Sequence, residues 1–332
     1  MSQSHDLQPE LFLDAGFRII SDAYRTLSLY ARYGLKRASQ QIIDKNKSNS
    51  NQPILADKYV EESAFLTLLQ SPLGQRLEKK FKLQMGDWIY GEETIDRVPV
   101  PIDFTNTIYP VVLLDMLDGS DLFKRRFSNW CIAVVFYVPK PTDIIAAFVG
   151  DALGRIYYAS KFEEGAFLVS VKTSKTRRVS ERIKLNPLEG RVENPKLENS
   201  VVCFYGQKRN DFYDVAKRKN FIDSLDPEKG ARIYNLGGNP MIARVADGTV
   251  DIVISPGRGQ KVHDVFPGLY IAIKSGASAL SPEGEDLTFN SEYLIKSLQH
   301  PADDTFRLRY IVAATNDLAK EVSKKLKVNK FG

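Results

Sequence analysis

The stretch VVLLDMLDGSDLF, residues 111–123, places two aspartates directly after a run of four aliphatic residues. The run VVLL is typical of a buried strand. Asp115 follows where this strand should end, and Asp118 comes three residues later in the turn-forming sequence Asp-Gly-Ser. A core strand that ends in carboxylates predicts either a simple turn or a polar site at the edge of a sheet.

The segments around this stretch predict a mixture of strands and helices. Short runs rich in Val, Ile and Tyr occupy most of residues 108–169 and predict strands. Apolar residues at intervals of three or four predict helices over 9–41 and 57–70, with a polar loop at 44–53. This pattern predicts an α+β fold built as a layered sandwich.

The second part of the chain alternates strands with helices. Helices are predicted over 211–225, 239–248 and 265–277, and a last helix begins with Asn316 or Asp317 as its cap. The Pro-, Asn- and Glu-rich segment 186–199 is the best internal boundary. We therefore expect an N-terminal α+β half over 1–185 and a C-terminal α/β half over 186–332, joined in one compact unit.

Composition narrows the class of protein. The chain has 332 residues, 43% hydrophobic and 26% charged, with a net charge of +5, so it is globular and no nucleic-acid polymer is expected as a partner. Cys131 and Cys203 lie in apolar runs, which predicts buried free thiols and a reducing compartment. The N-terminus has no signal pattern, and the apolar runs are too short to span a membrane. These features predict a soluble cytoplasmic protein.

Carboxylates stand at several other points where a predicted element begins or ends. Glu92 and Glu93 follow the predicted strand DWIY, Asp57 opens a predicted helix, and Asp264 precedes another. Element ends are the usual place for site residues. Taken singly, each has an ordinary explanation as a solvated pair, a turn former or a helix cap. Their occurrence together favours a shared polar site.

The spacing within DMLDGS suits a hard metal ion and an anion. A turn between Asp115 and Asp118 is expected to bring both carboxylates to one side and to expose the carbonyl of Leu117. These oxygens suit Mg²⁺, and a divalent cation relieves repulsion between neighbouring carboxylates. The N–H groups of Gly119 and Ser120 offer an anion site at a helix start. Metal ligands beside a phosphate cradle predict metal-assisted phosphoryl transfer.

Several motifs in a fixed order resemble those of the inositol monophosphatase superfamily. GEE is identical to a family motif, DMLDGS is similar to its DPIDGT, and HDVFPG is similar to its WDVAAG. The stretches ILADKYVEE, GRIYYASKFEEGAFL and RVADGTVDIVI resemble three further family segments, so the likeness covers roughly residues 50–280. It implies a layered αβαβα sandwich of the sugar-phosphatase type, Mg²⁺ as cofactor and a homodimer.

The resemblance implies roles residue by residue. Glu92 and Ser120 correspond to the pair that activates the attacking water, and Ser120 keeps the hydroxyl of the family's Thr. The implied metal ligands are Glu92, Asp115, the Leu117 carbonyl, Asp118, Asp264 and, for an additional Mg²⁺, Asp57. The predicted substrate- and phosphate-binding residues are Asp118, Gly119, Ser120, Gly238, Ser255, Arg258 and Lys261.

The sequence departs from the family pattern after the predicted strand DIVIS. The family usually has a carboxylate there that binds an inositol hydroxyl, whereas this chain has Ser255 and then extra residues that include Arg258 and Lys261. Basic residues here, and in the segment 124–126, favour a substrate with a second anionic group; exposed solubilising charge is the alternative. His263 replaces the family's Trp and is expected to be packed or hydrogen-bonded rather than a proton shuttle.

These inferences predict a Mg²⁺-dependent phosphomonoesterase acting on a small phosphorylated metabolite, such as an inositol phosphate or a sugar phosphate. Two other activities on the same fold stay open, namely hydrolysis of a bisphosphorylated nucleotide or of fructose 1,6-bisphosphate. A non-catalytic binding protein that retains the fold is a further alternative. A membrane is not expected as a partner.

Overall fold

The computed structural model of the chain describes residues 8–30, 54–84, 87–93, 102–170, 181–191, 193–206, 208–301, 303 and 306–327. Helices combine with two β-sheets, which confirms the predicted α+β class. The chain divides into two units. The first comprises residues 1–156, 160–162 and 169–181, and the second comprises 157–159, 163–168 and 182–332. The domain boundary predicted from composition stays a prediction.

The first unit contains four neighbouring strands in the order β1–β2–β3–β4. Strand β1 is parallel to β2, whereas the β2–β3 and β3–β4 pairs are antiparallel. The elements are α1 (Pro9–Leu29), α2 (Leu55–Gln70), α3 (Pro72–Phe81), β1 (Ile89–Gly91), β2 (Val111–Asp118), α4 (Ser120–Lys124), β3 (Cys131–Val138) and β4 (Asp143–Asp151).

Helix α1 has the predicted apolar face. Its buried side chains recur every three or four residues, and Pro9 occupies the first turn, where its missing N–H has no cost. The ring of Phe12 meets Phe136 of β3 edge to face, with 5.7 Å between their centroids. Packing of this face against β3 and β4 therefore holds α1 in place. The predicted loop at 44–53 and the C-terminal part of the helix predicted over 9–41 lie outside the described residues.

The division between the units passes through β5 (Arg155–Ser160) and β6 (Ala166–Ser170), and β7 (Ile183–Lys184) pairs with β6. The remaining elements belong to the second unit. They are β8 (Val201–Phe204), α5 (Arg209–Ala216), α6 (Lys219–Ile222), β9 (Arg232–Tyr234), α7 (Asn239–Ala246), β10 (Ile252–Gln260), α8 (Phe266–Ser275), β11 (Ser278–Leu280), α9 (Glu292–Gln299), β12 (Leu308–Ala313) and α10 (Asn316–Leu326), with 3₁₀ turns at Leu197–Asn199 and Pro227–Lys229.

Among the described residues, the sheet of the second unit has five strands in the order β11–β12–β10–β8–β9. Strand β8 is parallel to both β10 and β9, and β12 is antiparallel to its two neighbours. One face of this sheet, including Val202 and Ile254, shares a buried cluster with Leu318 and Val322 of α10. Leu318 and Val322 are four residues apart, so their side chains lie on the same side of α10.

Two local predictions differ from the structure, and one helix was not predicted. The helix predicted over 211–225 is broken into α5 and α6 around Lys217 and Arg218. Helix α10 is capped by Thr315, whose hydroxyl accepts a hydrogen bond from the N–H of Leu318 at 3.2 Å, so Asn316 and Asp317 are not its cap. Helix α3 was not predicted, although its start has a local signal: Ser71 caps it and proline follows at once.

Two compositional expectations concern the thiols and the membrane. Cys131 and Cys203 are both free and buried, as predicted. Within the described ranges, none of the helices has the length and apolarity needed to cross a bilayer.

Candidate active site

The turn predicted between Asp115 and Asp118 is a β-bulge. Strand β2 continues to Asp118, and Asp115 pairs with Ala133 while Asp118 pairs with Cys131. Strand β2 therefore has one extra residue over this interval. Residues three apart normally face opposite sides of a sheet, but an extra residue restores them to one side. Since Ala133 and Cys131 are two apart on β3, the two aspartates face the same way.

The bulge gives each aspartate a local partner. The N–H of Leu117 donates to Oδ1 of Asp115 at 3.2 Å, and the Cys131 thiol donates to Oδ2 of Asp118 at 3.6 Å. Asp115 is 5% exposed, while Asp118 is partly exposed at the end of the strand. Burial raises the pKa of the Cys131 thiol well above its usual value, and the charges of Asp118 and Asp115 raise it further.

Parallel pairing brings Glu92 to the same edge. Gly91 is in register with Leu114, and the N–H of Glu92 donates to the Leu114 carbonyl at 3.3 Å. Parallel pairing therefore places Glu92, directly after β1, beside Asp115 in the C-terminal part of β2. Carboxylate oxygens of these two residues lie within 4.8 Å of each other. The first unit thus places an acidic pair where the sequence predicts metal ligands.

A buried glutamate on helix α2 holds the turn after β1. Glu61 is 1% exposed, and both of its carboxylate oxygens accept the N–H of Glu93 at 3.0 Å. Gly91 lies so close to Glu61 that an added Cβ would be 2.1 Å from Oε1. Glu61 was not predicted as a site residue, because its partner lies 32 residues away and no local spacing announces the contact.

Asp57, one helical turn before Glu61, is buried among other acids. Its Oδ2 accepts the N–H of Ile54 at 2.7 Å, and Oδ1 is buried with no hydrogen-bond partner among the described residues. Desolvation raises the pKa of Asp57 well above its usual value, and the nearby charges of Glu93, Glu92 and Glu61 raise it further. A buried carboxylate oxygen without a partner, in an acidic neighbourhood, is what a cation would stabilise. The donor set of the first unit therefore fits Mg²⁺, which prefers oxygen ligands.

The DGS sequence forms the start of a short helix. Gly119 has φ +87°, a conformation that other residues rarely adopt, and it precedes α4, which begins at Ser120. An added Cβ on Gly119 would also lie 3.1 Å from the carbonyl oxygen of Asn129. In the basic segment that follows, Arg125 pairs with Asp121 at 2.9 Å, and both side chains are largely exposed. This geometry agrees better with the solvated interpretation of that segment than with a buried anion site.

In the second unit, Asp264 lies on a turn that leads into α8. The N–H of Asp264 donates to the carbonyl of Lys261 at 3.2 Å. The buried His263 has Nε2 3.3 Å from Oδ1 of Asp264. Asp264 is not the cap of α8, because Val265 occupies that position. The carboxylate is partly exposed, so it is available to a ligand.

An unpredicted residue, Asn239, supports this turn. It is fully buried at the start of α7, its backbone N–H donates to the Asp264 carbonyl at 3.0 Å, and its Nδ2 donates to the His263 carbonyl at 2.8 Å. The preceding Gly238 has φ +76°, and its carbonyl accepts the N–H groups of Met241 and Ile242. The first-turn N–H groups of α7 therefore already have partners within the protein.

The departure from the family pattern after Ser255 is an irregularity in β10. Ser255 pairs with Tyr310 and Gln260 pairs with Leu308, so β10 has extra residues between them. Ser255 is buried, Arg258 is exposed within the irregular segment, and Lys261 is partly exposed just after it. At the end of the irregular segment, the Tyr310 hydroxyl donates to Oε1 of Gln260 at 2.5 Å. The substrate-binding roles of these residues stay predictions.

Comparisons with solved structures find the same fold. The extragenic suppressor protein suhB from Bartonella henselae is 15% identical with a TM-score of 0.63, and the match covers 95% of this chain and 98% of that one. Inositol monophosphatase II from Staphylococcus aureus is 18% identical with a TM-score of 0.60, covering 95% of each chain. A structure of SaIMPase-II with bound inositol monophosphate is 20% identical with a TM-score of 0.60, covering 94% and 92%.

Sequence comparison supplies the family. A search of curated proteins returned no significant match. The model of the inositol monophosphatase family matches residues 27–320, which is most of the chain. The protein therefore belongs to the inositol monophosphatase family.

Proposed function

We propose that the protein is a metal-dependent phosphomonoesterase that hydrolyses a small phosphorylated metabolite. The observation that carries this proposal is the bulge of β2. It turns Asp115 and Asp118 to one side at the edge of the sheet where Glu92 directly follows β1. The charges of three carboxylates at one edge of the sheet repel each other, and a bound cation would stabilise them. Family membership supports the same reaction class.

Mg²⁺ is the proposed cofactor. Its ligands would be Glu92, Asp115, the carbonyl of Leu117, Asp118, Asp264 and, for an additional ion, Asp57. When bound, Mg²⁺ lowers the pKa of a coordinated water and stabilises charge on the phosphoryl oxygens. The Oδ1 atom of Asp57 has no hydrogen-bond partner among the described residues, and the pKa of that carboxyl is raised; both observations support a cation in the first unit.

The remaining roles fall to residues of the chain itself. Glu92 and the hydroxyl of Ser120 would orient the attacking water, and Glu92 would accept its proton. The N–H groups of Gly119 and Ser120 would donate to phosphate oxygens, which the left-handed backbone of Gly119 supports. This division of roles needs no histidine.

Two conservative variants test the proposal. Asp118→Asn and Asp264→Asn keep the side-chain shape but remove a charge, so we expect each to abolish Mg²⁺-dependent hydrolysis of inositol 1-phosphate with an unchanged circular dichroism spectrum. Asp121→Asn is the matched control, since Asp121 is exposed and pairs only with Arg125 among the described residues. Retained Mg²⁺-dependent turnover in both test variants would contradict the proposal.

A substrate with two phosphate groups is the second candidate. Ser255 offers no carboxylate to an inositol hydroxyl, and the irregular segment of β10 carries the exposed Arg258. A second anionic group would gain a charge-assisted hydrogen bond from such a guanidinium. We would compare inositol 1-phosphate, fructose 1,6-bisphosphate and a 3′,5′-bisphosphate nucleotide as substrates. Arg258→Ala should lower kcat/KM about tenfold for the preferred bisphosphate only.

The non-catalytic alternative makes the opposite prediction. A binding protein that merely retains the fold would hydrolyse none of these compounds, and Mg²⁺ would leave its Tm unchanged.

A homodimer and a cytoplasmic location are further parts of the proposal that the protein is a phosphomonoesterase. Two buried free thiols support a reducing compartment, and sedimentation equilibrium would test the dimer.

A further inference from the structure

Asn239 joins the first turn of α7 to the segment that carries Asp264. Its backbone N–H donates to the carbonyl of Asp264 at 3.0 Å. Its side chain donates from Nδ2 to the carbonyl of His263 at 2.8 Å and accepts the N–H of Gly268 at Oδ1, at 2.9 Å. One buried residue therefore forms hydrogen bonds with the backbone of three residues, His263, Asp264 and Gly268.

The start of α8 depends on this side chain. The first N–H groups of a helix lack partners within the helix. Val265 provides no side-chain cap, and Pro267 has no N–H to satisfy. The N–H of Gly268 finds its acceptor on Asn239, which belongs to another helix. An amide is suited to this place because it offers a donor and an acceptor at once.

We propose that Asn239 is a positioning residue that holds the Asp264 carboxylate where it can bind Mg²⁺. This inference rests on the proposed function. Asn239 would not touch the metal; it fixes the backbone from which Asp264 projects. Residues that orient a metal ligand typically change metal affinity or activity by about 10- to 100-fold when they are removed.

Asn239→Ala tests this inference, with Mg²⁺ alone as the probe. Isothermal titration calorimetry and the Mg²⁺ dependence of Tm should both show affinity weakened about 10- to 100-fold. In assays with inositol 1-phosphate, kcat should fall at limiting Mg²⁺ and recover toward the wild-type value at saturating Mg²⁺, with KM unchanged. Asn239→Ser, whose hydroxyl can keep one of the two side-chain bonds, should fall between Ala and wild type.

Asn235→Ala is the matched control. Asn235 lies in the same unit and donates from its side chain to the carbonyl of Gly206 at 2.9 Å, away from the Asp264 turn in sequence. This variant should lose some thermal stability but keep the wild-type Mg²⁺ affinity. Should Asn239→Ala fail to fold, Asn239→Ser carries the same measurements.

The outcomes separate two kinds of failure. If wild-type protein binds Mg²⁺ and hydrolyses the phosphomonoester while both Asn239 variants keep wild-type Mg²⁺ affinity, Asn239 is merely structural and the inference is wrong. If wild-type protein neither binds Mg²⁺ nor hydrolyses any phosphomonoester, the proposed function is wrong and the inference falls with it.

Discussion

The two units hold their acidic residues in opposite ways. In the first unit, Glu92, Asp115 and Asp118 stand at the ends of paired strands, and Asp57 and Glu61 approach from helix α2. In the second unit, Asp264 stands on a turn. The backbone N–H of Asn239 donates to the Asp264 carbonyl, and the neutral side chain of Asn239 donates to the carbonyl of His263. The first arrangement concentrates negative charge and the second avoids it.

This difference has an energetic meaning. Carboxylates gathered in a buried edge repel each other and lose hydration, which is why the pKa of Asp57 is raised. The first unit is therefore expected to be strained without a cation. The turn of the second unit is held by neutral hydrogen bonds and should be indifferent to metal until Asp264 is engaged. The predictions below test this contrast.

The largest expected effect is on activity. Asp115→Asn removes a buried charge from the acidic edge, and several kcal/mol of charge stabilisation should be lost in the transition state. We expect kcat to fall by about three orders of magnitude, since each ~1.4 kcal/mol is a factor of ten. Steady-state hydrolysis of inositol 1-phosphate measures this. A loss below tenfold would show that Asp115 does not hold the metal.

The next largest effect is on stability, at Gly91, which lies close to the side chain of Glu61. In Gly91→Ala the new methyl group would lie 2.1 Å from Oε1 of Glu61, so the variant should lose about 1–3 kcal/mol in the free energy of unfolding. Glu61→Ala removes the obstacle. A double-mutant cycle should therefore show a coupling energy of about 1–2 kcal/mol between the two positions, measured by urea unfolding.

Gly268→Ala provides the contrast from the second unit. Its added Cβ would lie 2.9 Å from the backbone oxygen of Asn239, which no change of side chain at position 239 can remove. The variant should be destabilised in both the wild-type and the Asn239→Ser backgrounds. Relief of the defect by Asn239→Ser would contradict this explanation.

A smaller effect is the dependence of stability on pH. The folded pKa of Asp57 lies above its unfolded value of about 4, so the folded state binds this proton more tightly. Metal-free protein should therefore lose stability as the pH rises from about 4 through the folded pKa. Asp57→Asn should remove that loss and stabilise metal-free protein at pH 7.5.

Thermal melts with and without Mg²⁺ test the Asp57 variant. Its Tm should exceed that of wild type in chelator, and the further rise on adding Mg²⁺ should be smaller than in wild type. Asp121→Asn, at an exposed position, should change neither quantity. A metal-free Asp57→Asn protein that melts below wild type at pH 7.5 would show that the carboxylate is not strained.

The smallest effect concerns the thiols, one in each unit. Burial raises the pKa of both, to about 12 for Cys203 and well above the usual value for Cys131. Arg244 partly offsets the shift at Cys203, whereas Asp118 and Asp115 add to it at Cys131. Neither thiol should react with a disulfide reagent at pH 8 unless the protein is unfolded. Rapid reaction of native protein would mean that one of them is exposed.

Local patterns determined much of this protein in advance. The aliphatic run before Asp115 predicted strand β2, and the three- to four-residue apolar spacing predicted α1, because one face of a surface helix must be buried. The order of Glu92, Asp115, Asp118 and Asp264 predicted the family, which the family model confirms. Each of these predictions used either the spacing of residues close together in the sequence or the order of motifs along the chain.

Only the tertiary structure decided how the carboxylates are presented. The bulge that aligns Asp115 with Asp118 depends on pairing with β3, and spacing alone had suggested a turn. Glu61 and Asn239 act across 32 and 24 residues, on backbone groups that no sequence pattern marks as needing a partner. The sequence shows which residues can bind a metal. The orientation of those side chains is set by hydrogen bonds between segments that meet only when the chain folds.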